Sequence, residues 1–219
     1  MKGERTVGDK SADLVKKIHD ILSELYPDAQ CSLSYAKDYE LLFSTRLAAQ
    51  CTDAKVNKVG LGLYKRYQSL EDFANADITE LEQVIKPCGL FRTKAADLKN
   101  AAKMLLEKYD GKVPDTMEKL LALPGIGRKT ANLMLGDLWG KPAIVTDTHC
   151  IRISNRLGFC KTKDPYKVEL ALLAIVPPEI STHFCHLLVF HGRAVCKAQK
   201  PNCAGCGIAG YCAKVGVNT

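Results

Sequence analysis

The sequence predicts an all-α protein, on three observations. Apolar residues return at three- and four-residue intervals along nearly its whole length. Helix starts and stops are marked by capping residues, Pro and Gly. Strand-like β-branched runs are few and short.

The first helix carries Leu14, Val15, Ile18, Ile21, Leu22 and Leu25 on one stripe and stops at Tyr26-Pro27. Leu41, Leu42, Leu47 and Ala48 mark a second helix, and Val56, Val59, Leu63 and Tyr64 a third. Ser69 with Asp72, and Asp77 with Glu80, read as helix starts with an acid in the first turn. Leu98, Ala101, Ala102, Leu105 and Leu106 form the next stripe, which Asp110-Gly111 ends. Helices are then expected over 114–121 and 130–138, before a break at Gly140-Lys141-Pro142. The last three fall at 151–157, 167–176 and 181–191. Between them Ile144-Val145-Thr146 is expected to be extended.

At 219 residues and 47% apolar, the chain can bury one large core or two small ones. No run reaches the eighteen or so apolar residues of a membrane span. The opening MKGERTVGDKSADLVKK has no apolar core after its charges, so a leader is not expected and an intracellular, cytoplasmic location is. In that reducing setting the ten cysteines are read as thiols or ligands. Six of them, Cys31, Cys51, Cys88, Cys150, Cys160 and Cys185, are scattered and read as small core fillers. A net charge of +7 supports a nucleic-acid partner only when tied to a docking element.

The other four form a ladder, Cys196-x6-Cys203-x2-Cys206-x5-Cys212, within one short loop. Four convergent thiolates need a soft metal centre to offset their charge. Structural zinc usually takes two Cys-x-x-Cys knuckles, and here there is one, which suits an iron–sulfur cluster better. On spacing alone zinc stays open.

A second signal is Leu120-Leu-Ala-Leu-Pro-Gly-Ile-Gly-Arg-Lys-Thr-Ala131. Pro124 stops one helix, and Gly125-Ile126-Gly127 turns the chain before another begins. Amides at the new helix's start would point at an anion, with Arg128 and Lys129 adding charge. The whole segment matches a helix–hairpin–helix, which grips a DNA backbone without reading sequence. Downstream, Asp147 sits where the next helix begins, and its plain role is that of an N-cap. The helix dipole disfavours a protonated amine at the Lys129 position, which frees that amine for attack.

The hairpin Leu123–Asn132, the segment Thr146-Asp-Thr-His149, the stretch Phe190-His-Gly-Arg193 and the cysteine ladder occur in this order. Together they resemble the endonuclease III family of bifunctional DNA glycosylases and abasic-site lyases, from about Leu14 to Cys212. The resemblance implies a 4Fe–4S cluster held by Cys196, Cys203, Cys206 and Cys212. It implies two lobes: a six-helix barrel with the hairpin over 31–141, and a cluster domain of 1–30 plus 142–219, with DNA across the cleft between them. It implies a partner, double-stranded DNA containing damaged pyrimidines or abasic sites, and a monomer, nucleoid-associated if bacterial.

Residue by residue, Lys129 matches the family's attacking lysine and Asp147 its essential carboxylate. Gln50 matches a glutamine that fills the space of the flipped nucleotide, and Leu90 an apolar wedge. Gly125, Gly127, Arg128 and Lys200 fall at backbone-gripping positions. The bland readings are a solvent-facing helix end for Gln50 and core packing for Leu90. Three departures from the family's pattern stand out: Thr146 for the usual valine, Gln199 and Asn202 where basic residues are frequent, and Arg46 in a helix that is usually more apolar. A monofunctional adenine glycosylase is the nearest alternative, and Lys129 argues against it. A non-catalytic DNA-binding module is the other.

Overall fold

The computed structural model describes residues 7–217, with side chains from Ser11 onward. The N-terminal reading of Met1–Thr6 as part of a leaderless start lies outside the described residues. Eleven α-helices form among the described residues, with no strand. The chain divides into two compact units: Cys31–Trp139, and Met1–Gln30 with Gly140–Thr219.

The first unit holds α2 (Asp38–Leu47), α3 (Asp53–Arg66), α4 (Leu70–Asn75), α5 (Ile78–Ile85), α6 (Phe91–Tyr109), α7 (Met117–Leu121) and α8 (Arg128–Trp139). Its core includes Leu41, Leu42, Phe43, Leu63, Phe73, Leu81 and Leu98. Phe43 and Phe73 meet edge to face at 4.9 Å, the arrangement their ring quadrupoles favour. Both short helix starts cap as the sequence indicates. Asp72 donates its amide to Ser69 Oγ at 3.1 Å and returns Oδ2 to the Ser69 amide at 3.0 Å. Asp77 Oδ1 accepts the Glu80 amide at 3.0 Å. α6 ends where Asp110 and Gly111 turn left-handed and the Gly111 amide reaches back to Leu105 O at 2.9 Å.

The second unit holds α1 (Val7–Leu25), α9 (Thr148–Leu157), α10 (Pro165–Leu173) and α11 (Ser181–Ala194). Val15, Ile18 and Leu22 of α1 and Phe184, Leu187 and Leu188 of α11 are fully buried. The segment Ile144-Val145-Thr146 joins no sheet. The amides flanking Ile144 instead donate to α11: Ala143 to Ser181 Oγ at 3.1 Å and Val145 to Cys185 Sγ at 3.3 Å.

Helix boundaries differ from the sequence reading by a few residues. α7 begins at Met117, not 114, because Thr116 caps it through the Lys119 amide. α8 begins at Arg128, two residues early, since Gly127 O already accepts the Ala131 amide at 2.9 Å. α10 runs 165–173 because Asp164 caps it and Pro165 fits its first position. The cysteines also split. Cys88, Cys150, Cys160 and Cys185 are buried, but Cys31 and Cys51 are only half-buried and are not core fillers.

Candidate active site and cluster loop

In the Cys31–Trp139 unit, Leu123-Pro-Gly-Ile126 forms the turn between α7 and α8. The Ile126 amide donates to Leu123 O at 3.2 Å, with Pro124 and Gly125 at the corners and φ +73° at Gly125. A type II turn requires that positive φ at its third residue, and glycine supplies it. Leu123 and Ile126 are buried beneath the turn, while Gly125, Gly127 and Lys129 face solvent.

The two glycines serve different ends. A Cβ at Gly125 would lie 2.6 Å from both Arg46 Nε and Asp97 Oδ2. Those two side chains form an ion pair, with Nε and Nη2 each 2.7 Å from Oδ2 and side-chain exposures of 15% and 19%. Arg46, anomalous in the sequence, therefore packs under the hairpin with a carboxylate partner. A Cβ at Gly127 would meet nothing within 4 Å. Its missing side chain leaves open the approach to the first amides of α8, which have no intrahelical acceptor. Lys129 lies in that first turn, exposed.

Gln50 and Leu90 share a backbone peculiarity. Both are non-glycine residues at positive φ, +57° and +49°, and both are exposed, Leu90 at 54%. Core packing is thus not what Leu90 does. Gln50 lies just beyond α2, and Leu90 immediately precedes α6.

In the other unit, Asp147 caps α9: its Oδ1 accepts the Cys150 amide at 2.7 Å. Thr146 beside it is buried. The Thr146–His149 and Phe190–Arg193 motifs meet across α9 and α11. A Cβ at Gly192 would collide with His149 Nδ1 and lie 2.9 Å from Arg152 Nη2, so only glycine fits.

The four ladder cysteines line one cavity, together with Ile153, Arg156, His191 and Ile208. Among the described residues no group of His, Cys, Asp or Glu side chains is gathered to hold a single metal ion. Burial, and then the charges of the other ladder sulfurs, push the Cys206 and Cys212 thiols up. Four thiolates here thus need a cationic centre. Hydrogen-bond donors also face the sulfurs. Arg156 Nη1 reaches Cys196 Sγ at 3.2 Å, the Lys214 amide reaches Cys212 Sγ at 3.4 Å, and His191 Nε2 lies 3.5 Å from Cys206 Sγ. His191 is 1% exposed, and burial lowers its pKa to about 4, so it is neutral at pH 7. Arg156 also donates to Lys197 O at 2.7 Å and Ala198 O at 3.0 Å, which fixes the start of the loop. This donor set fits a thiolate-held cluster. Lys200, exposed at φ +49°, stands on the same loop.

Sequence reasoning missed three of these residues. Arg156 looked like an ordinary helix position, and His191 entered only within the Phe190–Arg193 stretch, with no role of its own. Lys94 did leave a signal: it falls on the stripe of Leu98, Ala101 and Leu105, a cation where apolar residues belong. It is fully buried.

Known proteins share this arrangement. Residues 43–178 match the family model described as HhH-GPD superfamily base excision DNA repair protein. Residues 196–212 match the iron–sulfur binding domain of endonuclease III. Endonuclease III of Synechocystis sp. is 45% identical over 193 residues, 88% of each chain. Two solved structures superpose with a TM-score of 0.87 at 41% identity, each over 93% of this chain. One is a non-covalent endonuclease III–DNA complex, covered to 95%, and the other a trapped endonuclease III–DNA covalent intermediate, covered to 96%. The chain belongs to the endonuclease III family, within the HhH-GPD superfamily of base-excision DNA repair proteins. It is accordingly a DNA glycosylase and abasic-site lyase that binds DNA, and its cofactor is a 4Fe–4S cluster. No helix among the described residues is long and apolar enough to cross a membrane.

Proposed function

We propose that this chain excises oxidised, ring-saturated pyrimidines from duplex DNA and cuts the strand 3′ to the abasic site, with Lys129 as nucleophile. The observation that carries this assignment is an exposed lysine in the first turn of α8, directly after a turn whose second glycine leaves helix-start amides open. A phosphate seated on those amides, with Arg128 beside it, would hold the backbone while Gly125 keeps the turn closed.

The damaged nucleotide must leave the stack before its C1′ can be reached, and unstacking costs least for a damaged base. Gln50 and Leu90 enter the duplex, one filling the vacated space and the other wedging the stack. The Lys129 amine attacks C1′ as the base departs. Asp147 takes the amine's proton or offsets positive charge on the sugar. The aminal so formed opens by breaking the C1′–O4′ bond, the ring oxygen taking a proton, and the resulting protonated imine acidifies the 2′ hydrogen. Its loss expels the 3′ phosphate, and water then releases the enzyme.

Cys196, Cys203, Cys206 and Cys212 hold the cluster, which cross-links the loop and fixes where Lys200 points. The enzyme works as a monomer in the cytoplasm, nucleoid-associated in a bacterium, which gel filtration at 24.0 kDa checks for the first point.

Borohydride reduces the imine to a stable amine, so it traps the chain on abasic DNA. Lys129→Gln should abolish trapping and leave abasic-DNA binding within about threefold. Undiminished trapping would assign the attack to another amine.

A further inference from the structure

Lys94 spends its whole side chain on two turns that have no sequence relation to each other. Its Nζ donates to Leu47 O at 2.8 Å, Ala49 O at 2.8 Å and Cys88 O at 2.9 Å. An ammonium has three protons, and all three are used. The first two acceptors lie at the C-terminal end of α2, where a helix leaves carbonyls unpaired and its dipole is negative. The third belongs to the short 3-10 turn Lys86–Cys88 that precedes α6. Gln50 follows Ala49 directly, and Leu90 lies two residues after Cys88. Both are exposed and left-handed; the unit's other such non-glycine residue among those described, Asp110, ends α6 and is held by that helix's own C-terminal turn.

Burying a cation costs free energy, and burial does pull the Lys94 ammonium below its usual range. An apolar residue on the α6 stripe would pack at no such cost. A left-handed non-glycine residue persists only when its surroundings over-determine it. Lys94 supplies that determination for both turns at once.

We infer that Lys94 is a positioning residue for the glycosylase step: it clamps the Gln50 and Leu90 turns together so that both side chains are presented to the duplex in one fixed register. This rests on the proposed entry of Gln50 and Leu90 into DNA. The clamp acts on insertion rather than on the attack by Lys129. Loss of Lys94 should therefore slow base removal far more than it slows cleavage of DNA that is already abasic.

The test uses the cluster-loaded full chain. 2-Aminopurine placed beside an abasic analogue brightens when the stack is opened, and single-turnover excision of a ring-saturated pyrimidine is followed at saturating enzyme. Lys94→Met removes the donors at similar length. It should bind undamaged duplex within about twofold of wild type, lose most of the 2-aminopurine rise and excise at least tenfold more slowly. Borohydride trapping on abasic DNA should stay within about threefold. Lys94→Gln keeps two N–H donors and should recover part of both signals; should the Met variant not fold, Lys94→Gln carries the comparison by itself. A fluorescence rise and excision rate within twofold of wild type, below the variant's melting temperature, overturn the clamp and leave Lys94 a structural cap. Gln50→Ala and Leu90→Ala are run beside it. If neither dims the fluorescence, the insertion reading itself has failed; if both do and the Lys94 variants do not, only the clamp has.

Discussion

Gly125→Ala probes how tightly the hairpin is bound to the helices beneath it. The added methyl carbon would stand 2.6 Å from Arg46 Nε and Asp97 Oδ2 and 2.7 Å from Asp97 Cγ. Those atoms belong to a mostly buried ion pair with both contacts at 2.7 Å, so they cannot swing aside without breaking it. The backbone at φ +73° adds about 1 kcal/mol for any L-residue. Forcing a methyl into packed space adds about 1–3 kcal/mol. The expected loss is therefore about 3 kcal/mol. In a chain of this size that lowers Tm by roughly 6–12 °C.

Urea unfolding and calorimetry would measure it. A double-mutant cycle with Asp97→Ala separates the two contributions. In the double mutant the Asp97 contact is gone and Arg46, no longer tethered by its ion pair, can move off the methyl, leaving chiefly the backbone part of about 1 kcal/mol. Gly127→Ala is the control, since nothing meets its Cβ. It should change stability by less than about 1 kcal/mol yet weaken DNA binding, because the methyl would stand where a phosphate approaches. A Gly125→Ala protein melting within a degree of wild type would show that the ion pair yields freely, and the steric argument would fall.

Two further outcomes follow from the other unit. Asp147→Asn keeps an acceptor for the Cys150 amide, so thermal unfolding should show a loss of about 1 kcal/mol or less, while glycosylase turnover falls by orders of magnitude. Lost stability with retained turnover would make Asp147 a cap and nothing more. Lys200→Ala should weaken binding equally on damaged and undamaged duplex and flatten the slope of log affinity against log salt by about 0.9, as titrations from 50 to 200 mM salt would read. An unchanged slope would mean that the loop does not meet phosphate.

The sequence by itself determined which helices form, because caps and apolar periodicity are local. Ser69, Asp77 and Asp147 cap through amides three residues away, which spacing can reveal. It also brought out Lys129, Asp147 and the cysteine ladder as candidates, since ligand spacing and a Pro-Gly turn are written in neighbouring residues. Boundaries slipped where a polar residue beyond the apolar stripe does the capping, as Thr116 and Asp164 do. Tertiary structure alone decided what lies under or across from a residue. Arg46 looked out of place until Asp97, fifty-one residues away, supplied its charge partner beneath Gly125. Gly192 is glycine because His149 occupies the space above it, and His191 is neutral because it is buried against Cys206. Lys94 stands on an apolar stripe in plain view, yet its purpose depends on carbonyls 6, 45 and 47 residues distant. A hydrogen bond's partner is set by where the chain returns in space, and that return depends on the packing of the entire core.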